Sequence, residues 1–393
     1  MKKLLTLAMI AAMCPALYAA DAAAPEAAPE PVAAPAPQSE TTLDKIVANM
    51  PKISGYLQTG WNWTHNKNAS SSSFQAKRLR LIMDGKVGEK VDFRLQIEAF
   101  NGIAGSTNGN GQKNLQVMDA FATWKIIPEF KIRAGQFYTP LGYENYDISP
   151  ATLETVDFSN IVYRMACRNP YEYNLVDYGR DLGLMFMGDI GDSGKGFRYF
   201  HYDVALTNGS IPCKDDRNKT KDLYVSATIR PFKNFNVKAT FNWGEYNPTA
   251  LAGGTGVGFD ADGAPVSKYM PMTRFVAGAW YNNPNGLDLR AEIGLMKSKK
   301  NDVKYVDELG AYVFAGYHAG KFLPMVRWDM YKDDINKTTA NNYDRLLLGC
   351  TYQLFKNVKI QVNWGHFMYK SDAKEALGYN TSDQIQIMGL FKF

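Results

Sequence analysis

The chain has 393 residues, of which 46% are hydrophobic and 13% aromatic, and its formal net charge is only +5. After the first 20 residues, no stretch of about 18 apolar residues is free of charge, which excludes a bundle of membrane-spanning helices. The modest charge without a basic block argues against nucleic-acid binding, whereas the many aromatic residues and 33 glycines favour short strands and tight turns.

The N-terminus has the features of a secretory signal peptide. Two lysines precede a short apolar run from Leu4 to Leu17, and Ala19 ends an acceptable cleavage site. The run is too short to span a bilayer and lacks the flank of a stop-transfer segment. We therefore expect residues 1–19 to be removed by cleavage after Ala19.

The segment that follows, residues 20–51, consists mostly of Ala, Pro and Glu up to position 40. This composition offers no large side chains to bury, and its prolines keep the backbone extended. We expect a periplasmic tether here, and a partner-binding segment is the alternative.

Three cysteines, Cys167, Cys213 and Cys350, remain in the mature chain. Their odd number excludes a fully paired disulfide framework, although a bridge between Cys167 and Cys213 is possible in an oxidising compartment. Cys350 is expected to pack as a small apolar residue.

From residue 52 onward the chain repeats one pattern sixteen times. Each repeat is about ten residues long and alternates apolar with polar side chains, as a tilted strand that crosses a bilayer does. The pattern predicts an all-β fold over residues 52–393, a transmembrane antiparallel β-barrel of 16 strands. The predicted strands are 53–64, 77–87, 90–101, 116–126, 130–137, 178–190, 197–207, 221–231, 235–247, 271–282, 287–297, 309–319, 322–332, 343–354, 358–370 and 381–393.

The connections between these segments alternate strictly between short turns and long polar loops. In an outer-membrane barrel the short turns face the periplasm, the long loops face outside, and an even strand number returns the C-terminus to the side of entry. A soluble β-sandwich gives no reason for this alternation. The long connections are predicted at 65–76, 102–115, 138–177, 208–220, 248–270, 298–308, 333–342 and 371–380.

The segment 90–101 shows most clearly how side chains sort between two faces. Its apolar residues fall on one face, while polar residues such as Arg94 and Glu98 fall on the other. A Lys or Arg on the lipid face would cost about 2–4 kcal/mol near the midplane, so the polar face is predicted to line a wet lumen. In the segments 178–190 and 309–319, apolar and polar side chains do not separate cleanly onto two faces. A loop that covers these strands from inside the barrel, or a subunit contact, would explain this.

The C-terminus also alternates and ends in the aromatic residues Phe391 and Phe393. This ending resembles the C-termini of bacterial outer-membrane barrels, and the resemblance implies recognition by the barrel-insertion machinery. A chain that merely ends in a strand is the alternative.

Three short motifs carry a family resemblance. The stretches from Gly135 to Asn145 and from Gly179 to Gly183 resemble the landmarks around the third loop of the phosphate-selective porin O/P family. The stretch from Arg78 to Phe100 is similar to the opening hairpin of that family. The resemblance implies a homotrimeric, sixteen-stranded porin in outer-membrane lipid, whose long third loop folds into the lumen and narrows the pore.

Strand parity places more basic than acidic side chains in the lumen. An excess of fixed positive charge in a confined aqueous pore favours anions, although cross-strand ion pairs would reduce the field. The candidate residues of the anion path are Arg78, Arg80, Arg94, Lys131, Arg133, Arg164, Arg168, Arg274, Arg290, Arg327 and Arg345.

The predicted third loop, 138–177, is net acidic and contains no lysine. Acidic side chains that face a basic wall would produce a transverse field, as in general diffusion porins. We predict a passive channel for small hydrophilic solutes with weak anion preference, and phosphate or polyphosphate selectivity is the alternative. The acidic residues expected at the constriction are Glu144, Asp147, Glu154 and Asp157.

Enzymatic and metal-dependent functions have little support in the sequence. The four histidines form no pair at metal-ligand spacing and no Ser-His-acid arrangement. We expect no catalytic residue, metal, cofactor or nucleic-acid partner. A plugged barrel whose external loops bind a surface is the alternative from another class.

Overall fold

The computed structural model describes residues 50–99, 115–166, 179–209, 220–246, 258–259, 265–266, 270–299, 305–336 and 342–393. The expected signal peptide and nearly all of the expected tether lie outside these residues, as do Cys167, Cys213 and Arg168. Within the described part of the chain, sixteen strands close into one antiparallel barrel, which confirms the predicted fold class.

The strands follow the predicted segments closely. Two of them, β10 and β11, form a separate small hairpin, and the other sixteen belong to the barrel. The strands are β1 (Lys52–Asn66), β2 (Ser70–Val87), β3 (Val91–Glu98), β4 (Gln116–Ile127), β5 (Phe130–Tyr138), β6 (Arg180–Asp192), β7 (Arg198–Thr207), β8 (Asp222–Phe232), β9 (Phe235–Tyr246), β10 (Gly258–Phe259), β11 (Pro265–Val266), β12 (Met270–Asn282), β13 (Leu287–Lys299), β14 (Tyr305–Tyr317), β15 (Phe322–Lys332), β16 (Tyr343–Phe355), β17 (Val358–Tyr369) and β18 (Thr381–Lys392).

The barrel closes where β1 pairs with β18, with Trp61 opposite Ile387 and Tyr56 opposite Lys392. Each other barrel strand pairs with its neighbours in the chain, apart from β9, which pairs with β12 across the inserted hairpin. Gly60 lies at the closure, where an added Cβ would meet the carbonyl oxygen of Ile387 at 2.0 Å. Glycine is therefore required at this position of the pairing between β1 and β18.

Burial is reversed relative to a soluble protein. Large apolar side chains such as Leu81, Ile293 and Val313 are about half exposed on the outer face, where the barrel meets lipid. Charged side chains such as Lys238 and Asp288 are fully buried on the inner face. The alternation read from the sequence therefore separates the lipid face from the lumen.

The prediction of a long loop at 65–76 is wrong. Strand β2 begins at Ser70, so only residues 67–69 connect it to β1. The side chain of Asn66 accepts hydrogen bonds from the backbone amides of Asn68 and Ala69, both at 2.8 Å, and thereby closes a tight turn. Residues 70–73, which are all serine, continue the pairing of β2 with β1.

Among the residues that the structure describes, three short helical elements connect strands. They are α1 (Tyr143–Tyr146), a π-helical turn (Ile161–Ala166) and α2 (Ser371–Leu377). No helix among the described residues is long and apolar enough to cross a membrane.

Candidate functional site

The connection between β5 and β6, residues 139–179, is named loop 3 and is described from residue 139 to 166 and at residue 179. It folds into the lumen and contacts strands on different walls. Its carbonyl oxygens accept hydrogen bonds from Thr240 on β9 at 2.8 Å, from Lys359 on β17 at 2.6 Å and from Arg274 on β12 at 2.8 Å. Lys359 is the second residue of β17, so loop 3 reaches almost to the short-turn end of the barrel.

One wall carboxylate holds the start of α1. Glu292 on β13 accepts hydrogen bonds from the backbone amides of Tyr143 at 2.6 Å and Glu144 at 3.1 Å. Gly142 has a φ of 75°, and an added Cβ there would lie 2.8 Å from the Glu292 carboxylate. The turn into the lumen therefore requires glycine.

The four acidic residues predicted at the constriction all form ion pairs with basic residues of the wall. Glu144 pairs with Arg327 at 3.3 Å, Asp147 with Lys238 at 2.6 Å and Glu154 with Arg290 at 2.8 Å, while Asp157 pairs with Lys77. The partners lie on four different strands, β15, β9, β13 and β2. These carboxylates bind loop 3 to the wall, which leaves less charge for the transverse field expected from the sequence.

Burial favours the neutral form of Asp157, but the charges of Lys77 and Arg345 and the hydrogen bond from Lys77 outweigh it. Together they hold the pKa of Asp157 well below its usual range. Tyr163 in the π-helical turn also donates a hydrogen bond to this carboxylate at 3.0 Å. Asp157 is therefore an ionised and well-satisfied anchor.

Three predicted lining arginines, Arg274, Arg290 and Arg327, lie under loop 3 instead of facing open lumen. Their exposed fractions are 1%, 4% and 1%. Arg274 donates to the carbonyl of Met165, and Arg327 donates to the carbonyl of Phe158 at 3.1 Å. Strand parity identified their inward direction, but it carries no information on what covers them.

Loop 3 also explains the strands that sorted poorly. Met185 on β6 and Tyr312 and Phe314 on β14 face inward and are almost fully buried. They form one apolar cluster with Leu141 and Ile161 of loop 3. Of the two explanations predicted from the sequence, the loop inside the barrel is confirmed.

A cavity of about 740 Å³ remains above loop 3 on the long-loop side, and we call it the vestibule. Its cations are Lys77, Arg78, Arg80, Arg180 and Arg345, and its carboxylates are Glu98, Asp157 and Asp383. Aromatic rings line it as well: Tyr138, Phe158, Tyr163, Tyr343, Phe367 and Tyr369.

Two of the vestibule carboxylates pair with a cation, and the third contacts a histidine. Glu98 binds Arg80 at 2.9 Å, Asp157 binds Lys77, and Asp383 binds His366 at 2.8 Å.

Two vestibule arginines bind neutral groups. Arg78 donates to Gln58 and to the carbonyl of Val156, and Arg345 donates to Gln384 at 3.3 Å. Among the described residues, neither arginine has a carboxylate within the 4.0 Å of an ion pair.

A second cavity of about 510 Å³ lies at the short-turn end. Lys131 and Arg230 in its wall share the carboxylate of Asp189, at 2.9 and 3.2 Å. Nearby wall residues are Arg94, which pairs with Asp84 at 2.7 Å, and Arg133, which lies 4.3 Å from the ring of Phe121.

The remaining predicted residues lie away from both cavities. Arg164 is buried with its guanidinium 5.2 Å from the ring of Tyr331. Phe391 and Phe393 are 43% and 62% exposed on β18 and at the C-terminus, and the backbone of Phe393 exchanges two hydrogen bonds with Gly55. Their role in targeting stays a prediction.

Sequence reasoning missed Lys77 and the aromatic rings of the vestibule. Lys77 lies at an irregularity in the pairing of β1 with β2, where strict alternation fails. Phe367 and Tyr369 share the parity of the lumen-facing Gln361 and Asn363, so the pattern of β17 contained a signal for them. No group of three His, Cys, Asp or Glu side chains suited to a metal ion occurs in the part of the chain that the structure describes.

A closed sixteen-stranded barrel with an apolar outer face and a loop folded into a charged lumen defines an outer-membrane porin. The sequence profile of the family "Phosphate-selective porin O and P" matches residues 58–393. The chain belongs to this family, and it is accordingly a channel protein of the outer membrane and not an enzyme. No curated protein sequence matches the chain.

Solved porin structures share the fold at low sequence identity. The anion-selective porin from Comamonas acidovorans has a TM-score of 0.61 at 11% identity, covering 87% of this chain and 99% of that one. Salmonella typhi OmpF in complex with daunomycin has a TM-score of 0.61 at 15% identity, with 87% and 97% covered. The trimer form of Vibrio cholerae OmpT has a TM-score of 0.53 at 12% identity, with 88% and 99% covered.

Proposed function

We propose that the protein is a passive diffusion channel for small hydrophilic solutes with a weak preference for anions. The observation that carries this proposal is the charge of the vestibule. Glu98 and Asp157 are paired with the cations Arg80 and Lys77, whereas among the described residues Arg78 and Arg345 donate only to neutral groups. Fixed positive charge at the entrance of a confined aqueous path raises the local concentration of anions.

The preference is expected to be weak because most lumenal charges are neutralised in pairs. Loop 3 alone places four carboxylates on four wall cations. A neutral pair produces a field that falls off quickly and is further screened by salt. The residual field therefore arises from few side chains.

Phosphate selectivity is the second candidate. It is favoured by membership of the phosphate-selective porin family and by Lys77 next to Arg78 at the base of the vestibule. Arginine can hold two phosphate oxygens with its planar fork, and lysine adds a point charge. Against it, the 138–177 segment contains no lysine.

The test is the reversal potential of single channels in a planar bilayer under a salt gradient, followed by addition of inorganic phosphate. We expect a mildly anion-selective potential and no block of the chloride current by phosphate. Arg345→Gln should move the potential toward cation preference, whereas Lys195→Gln in an exposed short turn should not. Block at low phosphate would favour the selective channel, and the absence of any conductance would favour the plugged, surface-binding barrel.

We also propose that the functional unit is a homotrimer. The family resemblance and the trimer form of the structurally similar OmpT support this proposal. Native mass spectrometry of the detergent-solubilised protein should give three times the mass of one chain, and conductance should appear in sets of three equal steps. A monomer mass with single steps would contradict it.

A further inference from the structure

The vestibule combines positive charge with aromatic surface. Six aromatic rings line it, and Tyr163, Phe367 and Tyr369 among them are only partly buried. Part of their surface is therefore open to the cavity. A path built only for hydrated inorganic ions gains nothing from such rings, because apolar surface in water is unfavourable.

Charge and ring are adjacent at two places. The guanidinium of Arg345 lies 4.8 Å from the ring centre of Phe367, and that of Arg78 lies 5.8 Å from the ring centre of Phe158. An organic anion could place its charged group on the guanidinium and its body on the neighbouring ring. The spacing of these pairs suits a small solute in which the two features are a few ångströms apart.

Hydrogen-bonding groups of the vestibule wall are left unsatisfied. Within the described part of the chain, the Nε atom of Arg345 and the Oε1 atom of Gln386 are buried without a hydrogen-bond partner, although both residues line the cavity. Arg345 is 6% exposed and Gln386 is 1% exposed. Buried polar groups are normally paired, so the described residues leave part of the hydrogen-bonding capacity of the Arg345 guanidinium unused.

The backbone beneath Arg345 makes room for this arrangement. Gly365 on β17 lies directly below the guanidinium, and an added Cβ would meet Arg345 Nε at 2.9 Å. Asp157, a carboxylate of the vestibule wall, is already bound by Lys77, Tyr163 and Gln386. Arg345 and Arg78 act on Asp157 through their charge, but neither is in an ion pair with a described carboxylate, so both can pair with an incoming anion.

We propose that the vestibule is a binding site for aromatic carboxylates. The carboxylate binds Arg345 and Arg78, and the ring packs on Phe367 and Tyr369. This assignment rests on the proposed anion-preferring channel and specifies the class of solute that it concentrates at its entrance. Inorganic phosphate could use the same guanidinium groups but would leave the aromatic surface unused.

The experiment compares benzoate with acetate, which has the same charged group and no ring. Either anion is added on the long-loop side of single channels, and the concentration that interrupts the chloride current by half is measured. We expect benzoate to act at about one tenth of the acetate concentration, because it alone packs on the rings. Isothermal titration calorimetry of the detergent-solubilised protein with benzoate measures the same site without requiring conduction.

Three variants separate the two parts of the site. Phe367→Leu keeps an apolar side chain without the ring and should reduce the advantage of benzoate over acetate to less than threefold. Arg345→Gln should weaken both anions, and Lys195→Gln in a short turn should change neither. Heat-modifiable gel mobility checks that each variant forms the folded barrel.

The outcomes distinguish this inference from the proposed function. Equal half-blocking concentrations of benzoate and acetate in a conducting, anion-preferring channel would overturn the binding site alone. Tighter block by inorganic phosphate than by benzoate would assign the vestibule to phosphate instead. Absence of conductance would overturn the proposed channel, and calorimetry would then decide the binding site by itself.

Discussion

Arg327→Met should release part of loop 3 from the barrel wall. Arg327 is 1% exposed and binds Glu144 at 3.3 Å, Asp329 at 3.5 Å and the carbonyl oxygens of Asp157 and Phe158 at 3.1 Å. Methionine has a similar length but leaves two carboxylates buried without their cation. Removing one partner of a buried ion pair costs about 3–5 kcal/mol.

This cost applies to the docked position of loop 3, because undocking would expose Glu144 to water. At about 1.4 kcal/mol per factor of ten, the equilibrium should shift toward the undocked loop by about 10²- to 10⁴-fold. The assay is hydrogen exchange at the backbone amides of Val156 and Ser159, which donate to Asn363 and Glu144. Single-channel current should become larger and noisier in the same variant.

Arg230→Met is the matched control. Arg230 binds Asp189 at 3.2 Å in the cavity at the short-turn end, so the same substitution should leave the exchange of loop 3 amides unchanged. Adding Glu144→Gln and Asp329→Asn to Arg327→Met removes the two carboxylate charges that have lost their cation. The triple variant should therefore regain much of the protection of loop 3 amides against hydrogen exchange. Unchanged exchange and unchanged current in Arg327→Met would refute the view that ion pairs hold loop 3.

Three further predictions concern an anchor, the barrel closure and the C-terminus. Because the pKa of Asp157 is lowered, its ion pair stabilises docking at pH values above about 4 and is lost as the pH falls through the lowered pKa. The difference in conductance between the wild type and Asp157→Asn should therefore stay constant from pH 8 to about 4 and disappear only below that, and Lys77→Met should move this change to higher pH. Gly60→Val places a side chain where Cβ is 2.0 Å from the carbonyl oxygen of Ile387, so the barrel should fail to close and heat-modifiable gel mobility should be lost. Phe393→Ser should lower the amount of protein in the outer membrane of cells without affecting refolding into detergent, and equal losses in both assays would point to a purely structural role.

The strands could be predicted because their signal is local. In β3, successive residues face lipid and the lumen in turn, and the eight residues of the strand alternate between apolar and polar accordingly. The C-terminal strand shows the same pattern up to Phe391. The serines at the start of β2 do not alternate between apolar and polar side chains. The predicted start of this strand therefore lies about seven residues too late.

The course of loop 3 could not be predicted because its contacts join distant parts of the chain. Glu144 and Arg327 are separated by 183 positions, and Lys359 and Leu153 by 206. Strand parity establishes that Arg327 and Arg290 face inward. It does not tell whether these side chains contact water in the lumen or a loop packed inside the barrel. The composition of loop 3 suggested an acidic face across the pore, whereas the structure uses these acids as anchors.

The barrel wall consequently has two groups of basic residues with different roles. Lys238, Arg290 and Arg327 are almost completely buried against loop 3, and each has an acidic partner on that loop. Arg78 and Arg345 face the vestibule and bind neutral groups.

Neutralising a paired, buried cation mainly changes where loop 3 lies, so it should alter conductance and noise more than ion preference. Arg345 donates to Gln384 on β18 and, among the described residues, to no carbonyl of loop 3, so neutralising it should alter ion preference at nearly constant conductance. The proposed function thus assigns size and charge selection to different side chains, although the alternation of the sequence did not distinguish these side chains from one another.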